Sequence, residues 1–220
     1  ASMSLPLARY GELPTPYQSQ DLVNWLEQVL SAPLKVGPSA CDFSLSSLKQ
    51  EQTLREVEFY FPLENSSVVK LLALLNDHRS RVRSFASVNK RAFLPNLSSL
   101  KGMMHGFIDL VFEHDGKYYV ADYKSTYLGG NITSYQHATL YQDIISHNYD
   151  LQYLIYSLAL HRYLKSSIAD YSVEQHFGGV FYFYLRGMNT SGTEGVYYTD
   201  ILEKELNLLD AIFSNVEVDA

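Results

Sequence analysis

Two aspartates and a lysine in the middle of the chain have the types and spacing best suited to chemistry. The residues on both sides of Asp115-Gly116 are rich in aromatic and β-branched side chains, which favour β-strands. Asp115-Gly116 is a two-residue hairpin signal, because a type I′ turn needs positive φ at both central positions. Counting back from this turn places Asp109 opposite Asp122, with Lys124 two residues further along.

This pair predicts a cation or a proton between the two carboxylates. Opposed Cβ atoms on paired strands lie roughly 4.5–5.5 Å apart, where like charges are destabilising. Strand alternation projects Asp122 and Lys124 to one face and Tyr123 to the other. Two carboxylates beside an ammonium suit a hard divalent cation and phosphate chemistry. The alternative is a buried ion triad without chemistry, in which Lys124 neutralises one carboxylate.

The hairpin is expected to be buried on both faces. The face of Asp109 also carries Phe107, Val111 and Val120. The other face is apolar as well, and it carries Ile108, Leu110, Phe112, Tyr119, Ala121 and Tyr123. Carboxylates between two apolar layers lose several kcal/mol of solvation unless they are paired or metal-bound.

Length and composition predict one globular domain. Of the 220 residues 46% are hydrophobic and 19% are charged. Residues 1–19 contain three prolines and predict an irregular lead-in, so the domain is assigned to residues 20–220. The single cysteine, Cys41, excludes an intrachain disulfide and predicts a cytoplasmic protein. No stretch approaches the roughly 18 apolar residues of a membrane span, and no signal peptide is recognisable.

The net charge of −7 argues against a domain that finds nucleic acid by its own affinity. The charge is uneven, however, since residues 79–101 contain six basic residues and no acidic one. This segment predicts either a solvated loop and helix end, which we favour slightly, or a local phosphate-binding patch.

Hydrophobic periodicity predicts an α/β (mixed α+β) fold with a central mixed β-sheet flanked by helices. Asp150 is the expected N-cap of the long helix, and Thr199 or Asp200 caps the last one. Helices are predicted at residues 20–31, 68–75, 134–146, 150–166 and up to 213, and strands at 55–63, 106–113, 118–125 and 178–185.

Further candidate residues give weaker signals. Gln152 and Tyr156 are four apart and share a helix face, which is more often a plain helix surface than a site. Glu58 is as readily a solvated strand-edge residue as a site residue. His105 falls on the strand face of Asp109, although surface exposure explains it better. No zinc pattern, cysteine nucleophile or ATP-binding loop occurs, so the chain shows no ATP site.

At the Asp109, Asp122 and Lys124 set the chain resembles the PD-(D/E)XK nuclease superfamily, and within it the nuclease domains of the RecB family. The resemblance is carried by segments such as residues 106–112, 122–125, 149–153 and 158–164. It is highly specific from residue 102 to 187 and covers about residues 20–215. It implies a restriction-endonuclease-like core. It also implies an exodeoxyribonuclease of the helicase–nuclease type that acts in DNA repair and recombination.

The resemblance also implies roles for individual residues. In the family, Mg²⁺ is held by the residues matching Asp109, Asp122 and the main-chain carbonyl of Tyr123, and Mn²⁺ or Ca²⁺ can substitute in binding. The lysine matching Lys124 orients the attacking water and stabilises charge on the phosphate. The Gln-x-x-x-Tyr motif matches Gln152 and Tyr156 beside the site, and with Ser125 these are candidates for contacts to DNA.

One family feature is missing, and it sets up the alternative function. The family has a further metal-ligand histidine in an upstream Gly-x-x-x-His motif, which does not occur before Asp109. The domain is therefore expected to be truncated at its N-terminus and to have a weakened metal site. Implied partners are single-stranded DNA delivered by a helicase, RecC- and RecD-like subunits and a RecB motor region. The alternatives are a docking module of the same complex and, less favoured, a hydrolase of a small phosphate ester.

Overall fold

A five-stranded mixed sheet positions the two aspartates and the lysine. The computed structural model describes residues 18–37, 43–82, 91–94 and 99–214. Neighbouring strands are antiparallel except β3 and β4, which run parallel and are joined by a helical crossover. The strands, in both chain order and sheet order, are β1 Thr53–Ser67, β2 Ser99–His114, β3 Lys117–Lys124, β4 Phe177–Tyr184 and β5 Val196–Thr199.

Helices cover both faces of the sheet, which confirms the predicted fold class. The main core lies between one face and α2, α3, α4 and α6, and a smaller core lies on the other face beside α1. No helix among the described residues is long and apolar enough to cross a membrane. The helices are α1 Ser19–Leu30, α2 Val68–Val82, α3 His137–Ser146, α4 Tyr149–Ser167, α5 Val173–His176 and α6 Glu203–Ser214.

The hairpin has the predicted turn and register. Asp115 and Gly116 have φ values of 50° and 77°, as a type I′ turn requires. The pairing runs from His114↔Lys117 to Leu110↔Ala121. One side of the hairpin packs into the main core and the other into the smaller core. The expectation that the hairpin is buried on both faces is therefore confirmed for Ile108 and for residues 110–112 and 119–121, but it was wrong for Phe107 and Tyr123, which are exposed.

The strand alternation breaks at Asp109, which corrects the predicted facing of Ile108. Ile108 and Val111 both lie in the main core, although they are three residues apart and should face opposite ways in a regular strand. The irregularity coincides with Glu56 on β1, which has a φ of 51° and lies between the paired positions Arg55↔Leu110 and Val57↔Ile108. Local distortions of this kind re-aim a side chain next to a site.

Several strand and helix boundaries differ from the predictions. The second strand begins at Ser99 rather than at residue 106, and the helix predicted for residues 68–75 continues to Val82. The short strand β5 was not predicted from the sequence. Residues 1–17 and Cys41 lie outside the described residues.

The predicted helix caps were wrong. α4 is preceded by Asn148 in the left-handed conformation, and Asp150 lies buried in the first turn. The reason is long-range, since Arg79 of α2 donates hydrogen bonds to both Asp150 and Asn148. α6 begins at Glu203, and the carboxylate of Glu205 accepts a hydrogen bond from the backbone N–H of Leu202.

Candidate active site

Asp122 and Lys124 form an ion pair at the end of β3, on the side of the sheet that faces α4. The ammonium Nζ of Lys124 lies 2.7 Å from Oδ2 of Asp122, whose residue is only 4% exposed. Burial raises the pKa of the Asp122 carboxyl, Lys124 opposes the rise, and Asp109 adds to it. The ionised form of Asp122 therefore depends on nearby positive charge.

Asp109 is held against the same strand by a backbone contact. Its Oδ2 accepts a hydrogen bond of 2.9 Å from the N–H of Tyr123. The β2–β3 ladder ends at Leu110↔Ala121, one pair short of the aspartates, so this carboxylate occupies the place of a ladder acceptor. Asp109, Asp122 and Lys124 are thus brought to one place, although the two aspartates are not paired in the β2–β3 ladder.

The face of α4 that carries Gln152 and Tyr156 meets Lys124. Gln152 accepts a hydrogen bond of 3.2 Å from Lys124 at Oε1 and donates one of 2.9 Å to the Tyr156 hydroxyl. The Tyr182 hydroxyl also donates to Oε1, at 2.8 Å. Burial raises the pKa of Tyr182 strongly, which keeps this donor protonated. The Gln152 carbonyl is therefore fixed towards the lysine.

Two tyrosine rings that sequence reasoning missed enclose the lysine. Nζ of Lys124 lies 3.9 Å from the ring centroid of Tyr149 and 4.9 Å from that of Tyr182. Aromatic faces attract cations, so the two rings stabilise the ammonium in addition to Asp122. The position of Tyr149 could have been predicted from the sequence, because it precedes Gln152 by three residues on a helix and so shares its face. The contact between Tyr182 and Lys124 could not have been predicted, because it depends on the parallel pairing of β3 with β4.

The structure does not bring Glu58 and His105 to this place. They pair with each other, with 2.9 Å between Oε1 and Nε2, and both side chains are exposed. Phe59 packs on Tyr156, so its neighbour Glu58 projects to the opposite face of the sheet. His105 lies roughly 13 Å from Asp109 along the strand, at about 3.3 Å per residue.

Two of the basic residues singled out at 79–101 are engaged in ion pairs. Arg79 pairs with Asp150 in the interior, and Arg81 pairs with Asp200 and Glu205. Residues 83–90 lie outside the described part of the chain. For these two arginines the structure favours a structural role over a phosphate-binding patch.

The donor set fits a small divalent cation. Within the described residues no cluster of three or more acidic, histidine or cysteine side chains forms a ready metal cage. Mg²⁺ does not need one, because it is bound through one or two carboxylates and keeps several waters. Asp109 and Asp122 could supply two hard oxygen ligands, since Asp109 is bonded to the Tyr123 backbone next to Asp122. Burial and the charge of Asp109 raise the pKa of Asp122, so a bound cation would stabilise its ionised form.

The similarities to known proteins agree with this geometry. A profile of the PD-(D/E)XK nuclease superfamily matches residues 18–219. The chain is 37% identical over 199 residues to the RecBCD enzyme subunit RecB of Escherichia coli, covering 90% of this chain and 16% of that protein. It is 35% identical over 195 residues to the Haemophilus influenzae RecB subunit, covering 89% and 15%. For the Mycobacterium tuberculosis subunit the values are 31% over 170 residues, 72% and 16%.

These matches establish the family, although the chain spans only about a sixth of the length of the curated relatives. PD-(D/E)XK nucleases depend on a metal, which is consistent with the oxygen donors of Asp109 and Asp122. The mixed sheet, the carboxylates beside Lys124 and the similarity over residues 18–219 together show that this chain belongs to the PD-(D/E)XK nuclease superfamily, as a nuclease domain similar to part of the RecB subunits.

Proposed function

We propose that this chain is the nuclease domain of a RecB-like helicase–nuclease subunit and hydrolyses DNA phosphodiester bonds during double-strand-break repair and recombination. The observation that carries the proposal is the ion pair between Asp122 and Lys124, with Asp109 held beside it by the Tyr123 backbone. Asp109, Asp122 and the Tyr123 carbonyl bind Mg²⁺ in this proposal. Mn²⁺ or Ca²⁺ can replace it in binding.

Each residue of the site has a separate task. The metal, when bound, supplies positive charge that polarises the phosphate and acidifies a water. Lys124 has three donors, so besides its contacts to Asp122 and Gln152 it can orient the attacking water and stabilise negative charge on the phosphate. Gln152 and Tyr182 hold the ammonium in place. The Tyr149 ring excludes water from one side of it.

The proposed substrate is single-stranded DNA delivered by a motor. A net charge of −7 disfavours capture of DNA from solution, whereas delivery makes strong affinity unnecessary. The names of the relatives describe a subunit of the RecBCD enzyme. By analogy we propose RecC- and RecD-like subunits and a RecB motor region as partners, with action in the cytoplasm.

The proposal is tested in the full-length protein with its partner subunits. Lys124→Ala should reduce Mg²⁺-dependent hydrolysis of single-stranded DNA by at least about 10²-fold, as loss of one positioned electrostatic group does elsewhere. DNA-stimulated ATP hydrolysis should be unchanged. Glu58→Ala, on the opposite face of the sheet, is the matched control and should retain activity within about two-fold.

Two outcomes would contradict the proposal. If Lys124→Ala hydrolyses DNA at the wild-type rate, Lys124 has no role in the reaction. A wild-type protein without metal-dependent hydrolysis would favour the alternative, in which the domain only docks on partner subunits.

A further inference from the structure

A short segment directly after Lys124 exposes an aromatic ring and an arginine that the site described above does not use. Tyr127 is 68% exposed. The guanidinium carbon of Arg186 lies 6.0 Å from the centroid of the Tyr127 ring. Arg186 comes just after β4, where the N–H of Leu185 donates to the carbonyl of Lys124. The ring and the guanidinium therefore lie beside the end of the strand that carries the catalytic lysine.

The backbone on both sides of Tyr127 is fixed from the interior by Tyr135. The buried Tyr135 hydroxyl accepts a hydrogen bond of 3.2 Å from the Leu128 N–H and donates one of 3.5 Å to the Thr126 carbonyl. A Cβ at Gly187 would lie 2.4 Å from the Tyr135 side chain, so only glycine leaves room for this ring. Tyr127 is thus an exposed ring on an ordered segment, which is the arrangement that binding residues need.

Arg186 is anchored in a way that leaves much of its guanidinium available. Its Nε donates a hydrogen bond of 2.8 Å to the Ser125 carbonyl. No carboxylate in the part of the chain that the structure describes pairs with Arg186, and the residue is exposed. In a chain with a net charge of −7, an arginine without an acidic partner beside the catalytic lysine is suited to an incoming anion.

An exposed ring beside an arginine that pairs with no described carboxylate is a combination that binds single-stranded nucleic acid. Bases stack on aromatic side chains, and the guanidinium binds phosphate oxygens in bidentate fashion. Three residues span at most roughly 10 Å, so Tyr127 lies within one or two nucleotides of a phosphate at Lys124. A base inside a duplex does not expose its face, so stacking here selects single strands.

We propose that Tyr127 and Arg186 form a nucleotide-binding subsite that holds single-stranded DNA next to the scissile phosphate. The subsite rests on the proposed nuclease function and adds a substrate-binding element to it. Tyr127 stacks on a base, and Arg186 binds the adjoining phosphate. Ser125, a DNA-contact candidate from the sequence, contributes through its carbonyl, which orients Arg186.

Photocrosslinking in the full-length protein with its partner subunits tests the subsite directly. Single-stranded oligonucleotides with 5-iodouracil at successive positions are presented, with Mg²⁺ and ATP, to an Asp122→Ala variant that lacks a proposed metal ligand, and crosslinked peptides are identified by mass spectrometry. A peptide containing Tyr127 should crosslink from one or two adjacent positions. Arg186→Ala should reduce its yield at least about five-fold. Tyr163→Ala, which removes a similarly exposed ring near the C-terminal end of α4, should leave the yield unchanged.

Steady-state kinetics give a second readout. Tyr127→Ala should raise the KM for single-stranded DNA by about 5- to 150-fold, the range for loss of one stacked base, with kcat within about three-fold. Tyr127→Phe keeps the ring and should restore KM to near the wild-type value. Tyr127 is exposed, so an unchanged urea midpoint is expected for both variants.

The subsite is refuted if crosslinks form in this domain but not at Tyr127, or if Tyr127→Ala changes KM no more than Tyr163→Ala does. Its failure can be told apart from failure of the proposed function. Crosslinking at Tyr127 together with an active Lys124→Ala variant would support DNA binding and contradict the assigned chemistry. If Lys124→Ala is inactive and no crosslink forms at Tyr127, the proposed nuclease function stands and the proposed subsite is refuted.

Discussion

Lys124 is the residue where charge, hydrogen bonding and aromatic packing meet. Its ammonium contacts the Asp122 carboxylate, the Gln152 carbonyl and the faces of two tyrosine rings. These contacts order a long, flexible side chain in the folded protein. Without them, the side chain would lose most of its rotamer freedom only when substrate binds. A positioned donor contributes more to catalysis than a mobile one, because no reorganisation is needed at the moment of reaction.

A second buried ionic cluster links α2 to α6 and makes stability depend on pH. Burial alone would raise the pKa of Glu205, but hydrogen bonds from His78 and Arg81 outweigh it and lower the pKa to about 2. The folded pKa is below the unfolded value of 4.5, so the stabilisation is present above pH 4.5 and is lost as the pH falls towards 2. The loss should amount to about 3 kcal/mol.

Urea unfolding of this chain between pH 2 and pH 6 measures that contribution. Glu205→Gln should flatten the pH dependence relative to the wild type. Glu203→Gln changes an exposed carboxylate in the same helical turn and should leave the dependence unchanged. Equal pH dependence in the wild type and Glu205→Gln would show that the cluster does not lower this pKa.

At the scale of elements, the start of α4 is fixed by a buried ion pair. Arg79 of α2 pairs with Asp150 and also donates to Asn148, the residue before the helix. The same first turn carries Tyr149, and Gln152 follows directly, so the ion pair positions the two α4 residues that contact Lys124. Removing one partner of such a pair leaves an uncompensated buried charge.

Asp150→Asn should therefore destabilise the domain by about 3–5 kcal/mol. Asp210→Asn is the matched control, because its partly exposed ion pair with Arg162 also involves α4 but should contribute less than about 1 kcal/mol. The free energy of unfolding in urea is the measurement. A similar small loss in both variants would mean that the Arg79–Asp150 pair does not hold α4.

The sequence predicted those parts of the site that follow from local rules. The Asp115-Gly116 turn set the hairpin register, and helical spacing put Gln152 and Tyr156 on one face, where the structure has them. The distortion at Asp109, the Arg79–Asp150 pair and the Tyr182 contact were not predicted. Each depends on residues brought together from distant parts of the chain, for which neither periodicity nor turn chemistry carries a signal.

At the scale of the whole molecule, the charge distribution suits the proposed cleavage of DNA better than its capture from solution. The chain is acidic overall, and Arg79 and Arg81 neutralise internal carboxylates. Beside the proposed cleavage site, Lys124 and Arg186 are the cations placed to meet phosphate. We propose that a domain with this charge distribution receives its DNA from a partner rather than capturing it from solution.

The central claim is that Asp109 and Asp122 hold a divalent ion next to Lys124. The most direct measurement is anomalous scattering from crystals of this domain soaked with Mn²⁺. The account predicts one strong peak within about 2.0–2.6 Å of oxygen atoms of both aspartates, near the Tyr123 carbonyl, and no such peak in Asp109→Ala. An empty site between the aspartates with a peak at Glu58 and His105, or no peak at all, would contradict it.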